Sequence, residues 1–239
     1  SKVSDPVWTG EVEDDGKSVS LNEFQDGLLK VWKAPRNGRK YVISADVAEG
    51  VKGGAYSVAV VLDRSSWEQV AVWRGHLDPG AFGKKLCDIG YWYNNAVLVP
   101  ELNNHGWATI ERIKSEGYSH LFNTREVWQE GDTHRDGFPT NEKTKALILS
   151  ALRNSLEDLT IFINDVVILN ELKSAVIDDN GKVVAPEGYF TDCLMALAIG
   201  VYCLKFYTLD ETYRKDAQSD SPILATNSAG HRRGRTGYR

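Results

Sequence analysis

The chain has 239 residues, of which 42% are hydrophobic, room for one sizeable domain with extensions. Its net charge of −5 would on its face argue against a polyanionic partner, yet the excess lies within residues 1 to 26, where Asp5, Glu11, Glu13, Asp14, Asp15, Glu23 and Asp26 face only Lys2 and Lys17. Cys87, Cys193 and Cys203 form no CxxC pair and no His/Cys cluster, which excludes a zinc or disulfide framework, and the longest apolar run, Leu194 to Leu204, is shorter than the about 20 residues of a membrane span.

No secretory signal is read at the start, so a reducing, intracellular setting is expected. Residues 1 to 39 read as an acidic linker with one extended piece, Leu28 to Trp32. Gly10 to Ser18 imitates a phosphate-binding loop, but its spacing is one residue too long and neither strand nor helix pattern flanks it. Residues 40 to 209 form the expected domain. Its first strand, Tyr41 to Asp46, is β-branched and nearly continuous in its hydrophobicity, the mark of a central strand, and it ends on a carboxylate. Ala55 to Leu62 and Gln69 to Arg74 follow after short polar connections and read as an antiparallel meander.

Asp78 and Pro79 open a helix with Phe82, Leu86, Ile89 and Tyr93 on one face. A fourth strand, Ala96 to Val99, ends at Pro100-Glu101. A second helix runs through Trp107, Ile110 and Ile113 to Gly117, and Tyr118 to Phe122 is expected as a fifth strand. After a polar loop over 123 to 139, Thr140 is expected to cap a helix carrying Leu147, Ile148, Ala151, Leu152 and Leu156. A short helix around Leu169 leads to a hairpin with Asn180-Gly181 at its turn. The last helix runs from about Thr191 to Tyr207 with Met195, Ile199, Tyr202 and Phe206 as its packing face, and residues 210 to 239 read as a flexible, basic-ended tail.

This order predicts an α/β fold of RNase H-like type: a mixed five-stranded sheet, three antiparallel strands then two parallel, flanked by helices and carrying an added β-hairpin. In such a fold Asp46, Glu101 and Asp192 meet at one edge of the sheet. Three carboxylates together repel one another and lose solvation, so the cluster implies cations. Two Mg²⁺ or Mn²⁺ ions, hard and oxygen-seeking, can bridge one phosphate at about 3.5 to 4 Å separation, which points to metal-dependent phosphodiester hydrolysis.

The ordinary readings stand beside these. Asp46 could bond local backbone, Glu101 could be a plain surface acid, and Asp192 could only complement a helix dipole. Asn103, Asn104 and His105 either position a loop or meet DNA. Lys143, Lys145, Arg125 and Arg135 are either phosphate contacts or solvated charges, and Glu49 and Asp63 are auxiliary acids. Trp67, Trp73 and Trp92 fall within strand or helix patterns and read as packing residues.

The same residues resemble the C-terminal nuclease domain of the large terminase subunits of tailed bacteriophages. A D-x-A-E-G-like box is present at Asp46, Ala48, Glu49 and Gly50, with Tyr56-Ser57 following. An E-x-N-N-x-G box stands at Glu101, Asn103, Asn104 and Gly106, a T-x-x-x-T-K segment at Thr140, Thr144 and Lys145, an E-L pair at Glu171-Leu172, and a D-x-x-x-A-L-A box at Asp192, Ala196, Leu197 and Ala198. Where the family commonly shows H-D-D, this chain has Phe190-Thr191-Asp192, and Asp192 matches the second aspartate.

The resemblance covers about residues 28 to 207. It implies an endonuclease cutting concatemeric double-stranded viral DNA with little base specificity. It also implies an ATPase motor domain upstream, the portal or procapsid and the small terminase subunit as partners, no membrane, and a place in the host-cell cytoplasm, transiently at the portal. The competing readings are a non-catalytic DNA- or capsid-docking module, a resolvase or transposase of the same fold, and half of an actin-like ATPase, the last lacking its second domain and glycine loops.

Overall fold

The computed structural model describes residues 3–126, 135–177, 183–186 and 190–206. In chain order the elements are β1 (Trp8–Asp14), β2 (Val19–Glu23), β3 (Leu29–Val31), β4 (Tyr41–Asp46), β5 (Ser57–Asp63), β6 (Glu68–Gly75), α1 (Pro79–Trp92), β7 (Val97–Leu102) and α2 (Gly106–Ser115). They are followed by β8 (Phe138–Pro139), α3 (Glu142–Glu157), α4 (Val166–Ser174), the hairpin strands β9 (Val176–Ile177) and β10 (Val183–Val184), and α5 (Asp192–Leu204). One mixed sheet runs β2-β1-β3-β6-β5-β4-β7-β8. β4 pairs antiparallel with β5 and parallel with β7, with α1 crossing between β6 and β7, and β8 adds in parallel beyond β7.

β4 lies in the interior of the sheet with a core on each face. Tyr41, Ile43, Ala45 and Val47 join the core under α1, whereas Val42 belongs to the core under α5. Alternation along the strand therefore turns Ser44 and Asp46 toward α5. On β7, Val99 belongs to the α5 side and Leu98 to the α1 side, which carries Glu101 to the same face as Asp46.

α1 is laid down as its sequence predicts: Asp78 accepts hydrogen bonds from Gly80 N and Ala81 N at 3.1 Å, and Phe82, Leu86, Ile89 and Tyr93 are buried. α5 differs from expectation. It is enclosed by β4 and β5 on one side and by α3 and α4 on the other, so it is buried nearly all round, while Phe206 is 39% exposed and Met195 and Tyr202 are only partly covered. Close approach rests on its small residues: a Cβ on Gly200 would lie 2.4 Å from Ser44 Oγ and 2.6 Å from Leu62 Cδ1.

Three further expectations change. Residues 8 to 31, read as a linker with one extended piece, instead add β1, β2 and β3 to the sheet, which among the described residues has eight strands rather than five. Their alternation is masked by acids that have structural partners: Glu11 pairs with Lys85 at 2.7 Å, Lys85 also donates to Val12 O, and Val12 is buried. The expected fifth strand at 118–122 is reduced to one bridge, Leu98 to Leu121, and the ladder resumes at β8. Thr140 does not cap α3. Asn141 does, in a reciprocal box with Thr144, and this frees the Thr140 hydroxyl for another partner. The antiparallel pairing of β9 and β10 agrees with the expected hairpin, whose Asn180-Gly181 turn lies outside the described residues, as does the 210–239 tail.

Candidate metal centre

Asp46 ends β4 beside Glu101 of β7, whose carboxyl acts on that of Asp46 by charge and as a hydrogen-bond partner. The Asp46 carboxyl is driven well above the ordinary carboxylate range, first by burial, then by the charge and hydrogen bond of Glu101 and by the charge of Asp192; Lys145 opposes the shift. Carboxylates brought this near repel one another, and a cation among them would offset that repulsion.

Glu101, 6% exposed, is fixed from both sides. Its Oε1 accepts from the Thr140 hydroxyl and its Oε2 from Asn103 Nδ2 at 2.8 Å. Asn103 is the organiser of the turn into α2: its amide also donates to Val47 O at 3.0 Å, and its Oδ1 accepts from His105 N at 3.0 Å and Gly106 N at 2.8 Å. His105 occupies the N-cap position of α2 without a side-chain cap bond, a task that the Asn103 oxygen performs instead.

Asp192, the first residue of α5, arrives on the same face. Its Oδ2 accepts from Tyr56 N at 2.7 Å, and burial raises its carboxyl above the ordinary value against the opposing pull of that N–H, of Arg74 and of His76. Thr191 gives α5 no side-chain cap; Glu171 of α4 supplies one from outside, its Oε2 accepting from Leu194 N at 2.9 Å. Asp46 and Asp192 line one cavity of about 300 Å³ with Glu49, Tyr56 and His105. Among the described residues no three acidic, imidazole or thiol groups are already closed around a single point as a metal shell. Asp46 and Asp192 offer carboxylate oxygens to that cavity, with Glu101 beside Asp46, and carboxylate oxygen is the donor chemistry that suits hard divalent ions.

The remaining candidates divide. Lys143 and Lys145 are exposed on the first turn of α3, and Lys145 is near enough for its charge to act on Asp46. Asn104, Arg125 and Arg135 are exposed, Arg125 on a short 3₁₀ turn at Thr124–Glu126. Asp63 is displaced from the site: it pairs with Tyr41 at the opposite end of β4, where its carboxylate binds Arg39 and accepts from Ser65 N and Ser66 N. Trp73 packs on Phe82 and Trp92 on Trp8 and Tyr93, as packing residues do.

Sequence patterns did not reveal the functions of Tyr56 N–H, Thr140 and Glu171. The first is a backbone group, and the other two act across elements distant in sequence. Thr140 and Glu171 were marked by the T-x-x-x-T-K segment and the E-L pair of the family resemblance, without their roles.

No family model and no curated protein sequence matches the chain. Solved structures do. The large terminase nuclease from thermophilic phage G20c, in crystal structures with bound magnesium and with bound cobalt, superposes with a TM-score of 0.59 at 19% identity, covering 84% of this chain and 98% of that one. The nuclease domain of the Thermus phage P74-26 large terminase gives 0.57 at 20% identity, covering 82% of this chain and 89% of that one. The chain thus has the RNase H-like fold of the large terminase nuclease domains.

Proposed function

We propose that this chain is a divalent-metal-dependent endonuclease that hydrolyses phosphodiester bonds of double-stranded viral DNA during genome packaging. The observation that carries this reading is that the Glu101 and Asp192 carboxyl groups both act on that of Asp46, with Asp192 lining the Asp46 cavity. Two acids held together by the fold, at the expense of solvation and charge repulsion, make sense as ligands awaiting cations. The likeness of fold to nucleases crystallised with magnesium and cobalt supports it.

Asp46, Glu101 and Asp192 would hold two Mg²⁺ or Mn²⁺ ions, Asp46 serving both. When bound, such ions activate water and stabilise the leaving oxygen. The protein's own part is positioning. Thr140 and Asn103 fix the two oxygens of Glu101, Tyr56 N–H fixes Asp192, and Glu171 anchors the helix that carries it. Lys143, Lys145, Asn104 and Arg125 lie exposed for backbone phosphates, a mode of contact with little base specificity. Asn103, with its amide engaged inside the loop, serves Glu101 rather than DNA.

By resemblance, the substrate is concatemeric DNA and an ATPase motor domain lies upstream. The same resemblance assigns the portal or procapsid and the small terminase subunit as partners, in the host-cell cytoplasm. Among the described residues no helix is long and apolar enough to cross a membrane. The test is plasmid cleavage. The chain should nick and then linearise supercoiled DNA with Mn²⁺ or Mg²⁺ and leave it intact in EDTA; cutting that persists in EDTA would refute the reading.

A further inference from the structure

Asp46 pairs with Val58 of β5, and Val58 pairs with Arg74 of β6. Glu101 stands on β7 one step past the Ala45–Pro100 pair. Glu101, Asp46, Val58 and Arg74 thus form one row across four strands, on the face toward α5. At about 4.8 Å per strand, the Arg74 backbone lies roughly 10 Å from that of Asp46. The row that begins with two acids ends in a cation.

The surroundings of Arg74 suit an anion. Its guanidinium lies 3.4 Å from the centroid of the Tyr56 ring and 5.8 Å from that of Phe190, which holds the planar group in place. Its charge acts on Asp192 and Glu171, but among the described residues no hydrogen bond or ion pair engages the guanidinium, and its Nε is buried and unpaired. It lines a cavity of about 410 Å³ together with Lys30, Tyr56 and Gly27. Lys30 pairs with Val72, two residues before Arg74, and so faces the same side. Of the acids at this cavity, Asp165 is engaged by Val167 N and Ile168 N, and Asp26 is exposed.

We infer that Arg74, assisted by Lys30, is a binding site for a phosphate diester of the DNA strand that crosses the sheet from the acidic cavity. The ligand class follows from position and geometry. A fixed, stacked guanidinium offers a forked pair of donors to an oxyanion, and a polymer of phosphates can reach it while another of its phosphates lies at the acids. This inference rests on the nuclease reading given above.

The test is duplex binding in EDTA, which keeps DNA intact, followed as a function of salt. Arg74→Gln should bind several-fold to tenfold more weakly and lower the slope of log K against log salt by about one. Arg74→Lys, which keeps the charge, should keep the slope near that of wild type. Folded Arg74→Gln with unchanged affinity and slope, or equal losses in both variants without change of slope, would overturn the inference and mark Arg74 as a packing residue.

Should Arg74→Gln fail to fold, phenylglyoxal modification of the wild-type chain mapped by mass spectrometry decides: duplex should protect Arg74, and equal modification with and without duplex overturns the site. A wild type that cuts with Mn²⁺ while Arg74 proves indifferent leaves the nuclease reading intact. A wild type that neither binds nor cuts DNA fails both.

Discussion

Asp46→Asn is expected to lower metal-dependent plasmid cleavage by on the order of a thousandfold or more, while the variant folds better than wild type. The loss follows from the position of Asp46 between Glu101 and Asp192, whose charges both bear on it. The gain follows from the direction of its shift. Because the folded Asp46 carboxyl is raised above its unfolded value, the metal-free folded state binds the proton more tightly than the unfolded chain. Stability from this group is present below the ordinary carboxylate range and is lost as pH rises from there through the raised value.

The amide, neutral at every pH and nearly the same shape, escapes that loss. In EDTA the stability of Asp46→Asn relative to wild type should therefore grow as pH rises above the ordinary carboxylate range, as read by urea denaturation at about pH 4 and about pH 8. A difference that is flat with pH would contradict the assignment of the shift to this site. The Glu101 carboxyl is one cause of the Asp46 shift, so Glu101→Gln should lessen the loss of stability with rising pH.

Gly106→Val should cost about 3 kcal/mol of stability and leave little folded chain at 37 °C. A Cβ at residue 106 would sit 2.0 Å from Glu101 O and 3.4 Å from Asn103 Oδ1. The first of these is backbone in a sheet strand and cannot turn aside as a flexible side chain would. Relief would require moving α2 away from β7, which breaks the bond from Gly106 N to Asn103 and disturbs the amide that holds Glu101. Thermal melting of the purified variant would check this, and wild-type-like melting would show that the turn is looser than the geometry implies. The same clash explains why the E-x-N-N-x-G spacing ends in glycine: the box is a folding unit in which Asn103 ties together its own carboxylate, the strand beside it and the start of the next helix.

The parts of the fold legible in the sequence were those with a single dominant period. β4 shows its buried run directly, α1 shows its stripe and its Asp78 cap, and the acids Asp46 and Glu101 stand out because each terminates an apolar strand. β1 and β2 were hidden because their outward positions are acidic and their partners are distant: Glu11 finds Lys85 and Asp14 N finds Asp88 on α1. α5 was misjudged as one-sided because periodicity cannot tell a helix covered on one face from a helix covered on all, and Ala196, Ala198 and Gly200 contribute by their smallness rather than by hydrophobicity. Asp192 was found through the order of elements and the family pattern. Its anchor, Tyr56 N–H, carries no residue-specific signal, since any residue but proline has that donor.

The departure at Phe190-Thr191 has a structural counterpart. Phe190 packs edge-on against Tyr56, the residue whose N–H holds Asp192 and whose ring carries Arg74. The position that bears a polar group in the family pattern is used here to brace that stack.

Anomalous scattering from a crystal of this chain soaked in Mn²⁺ would show whether Asp46, Glu101 and Asp192 are ligands to divalent cations. Two peaks are expected beside the cavity that Asp46 and Asp192 line, with Asp46 within bonding distance of both and Glu101 drawn to metal contacts. Manganese bound elsewhere on the surface, with no peak beside Asp46 and Glu101, would contradict that assignment.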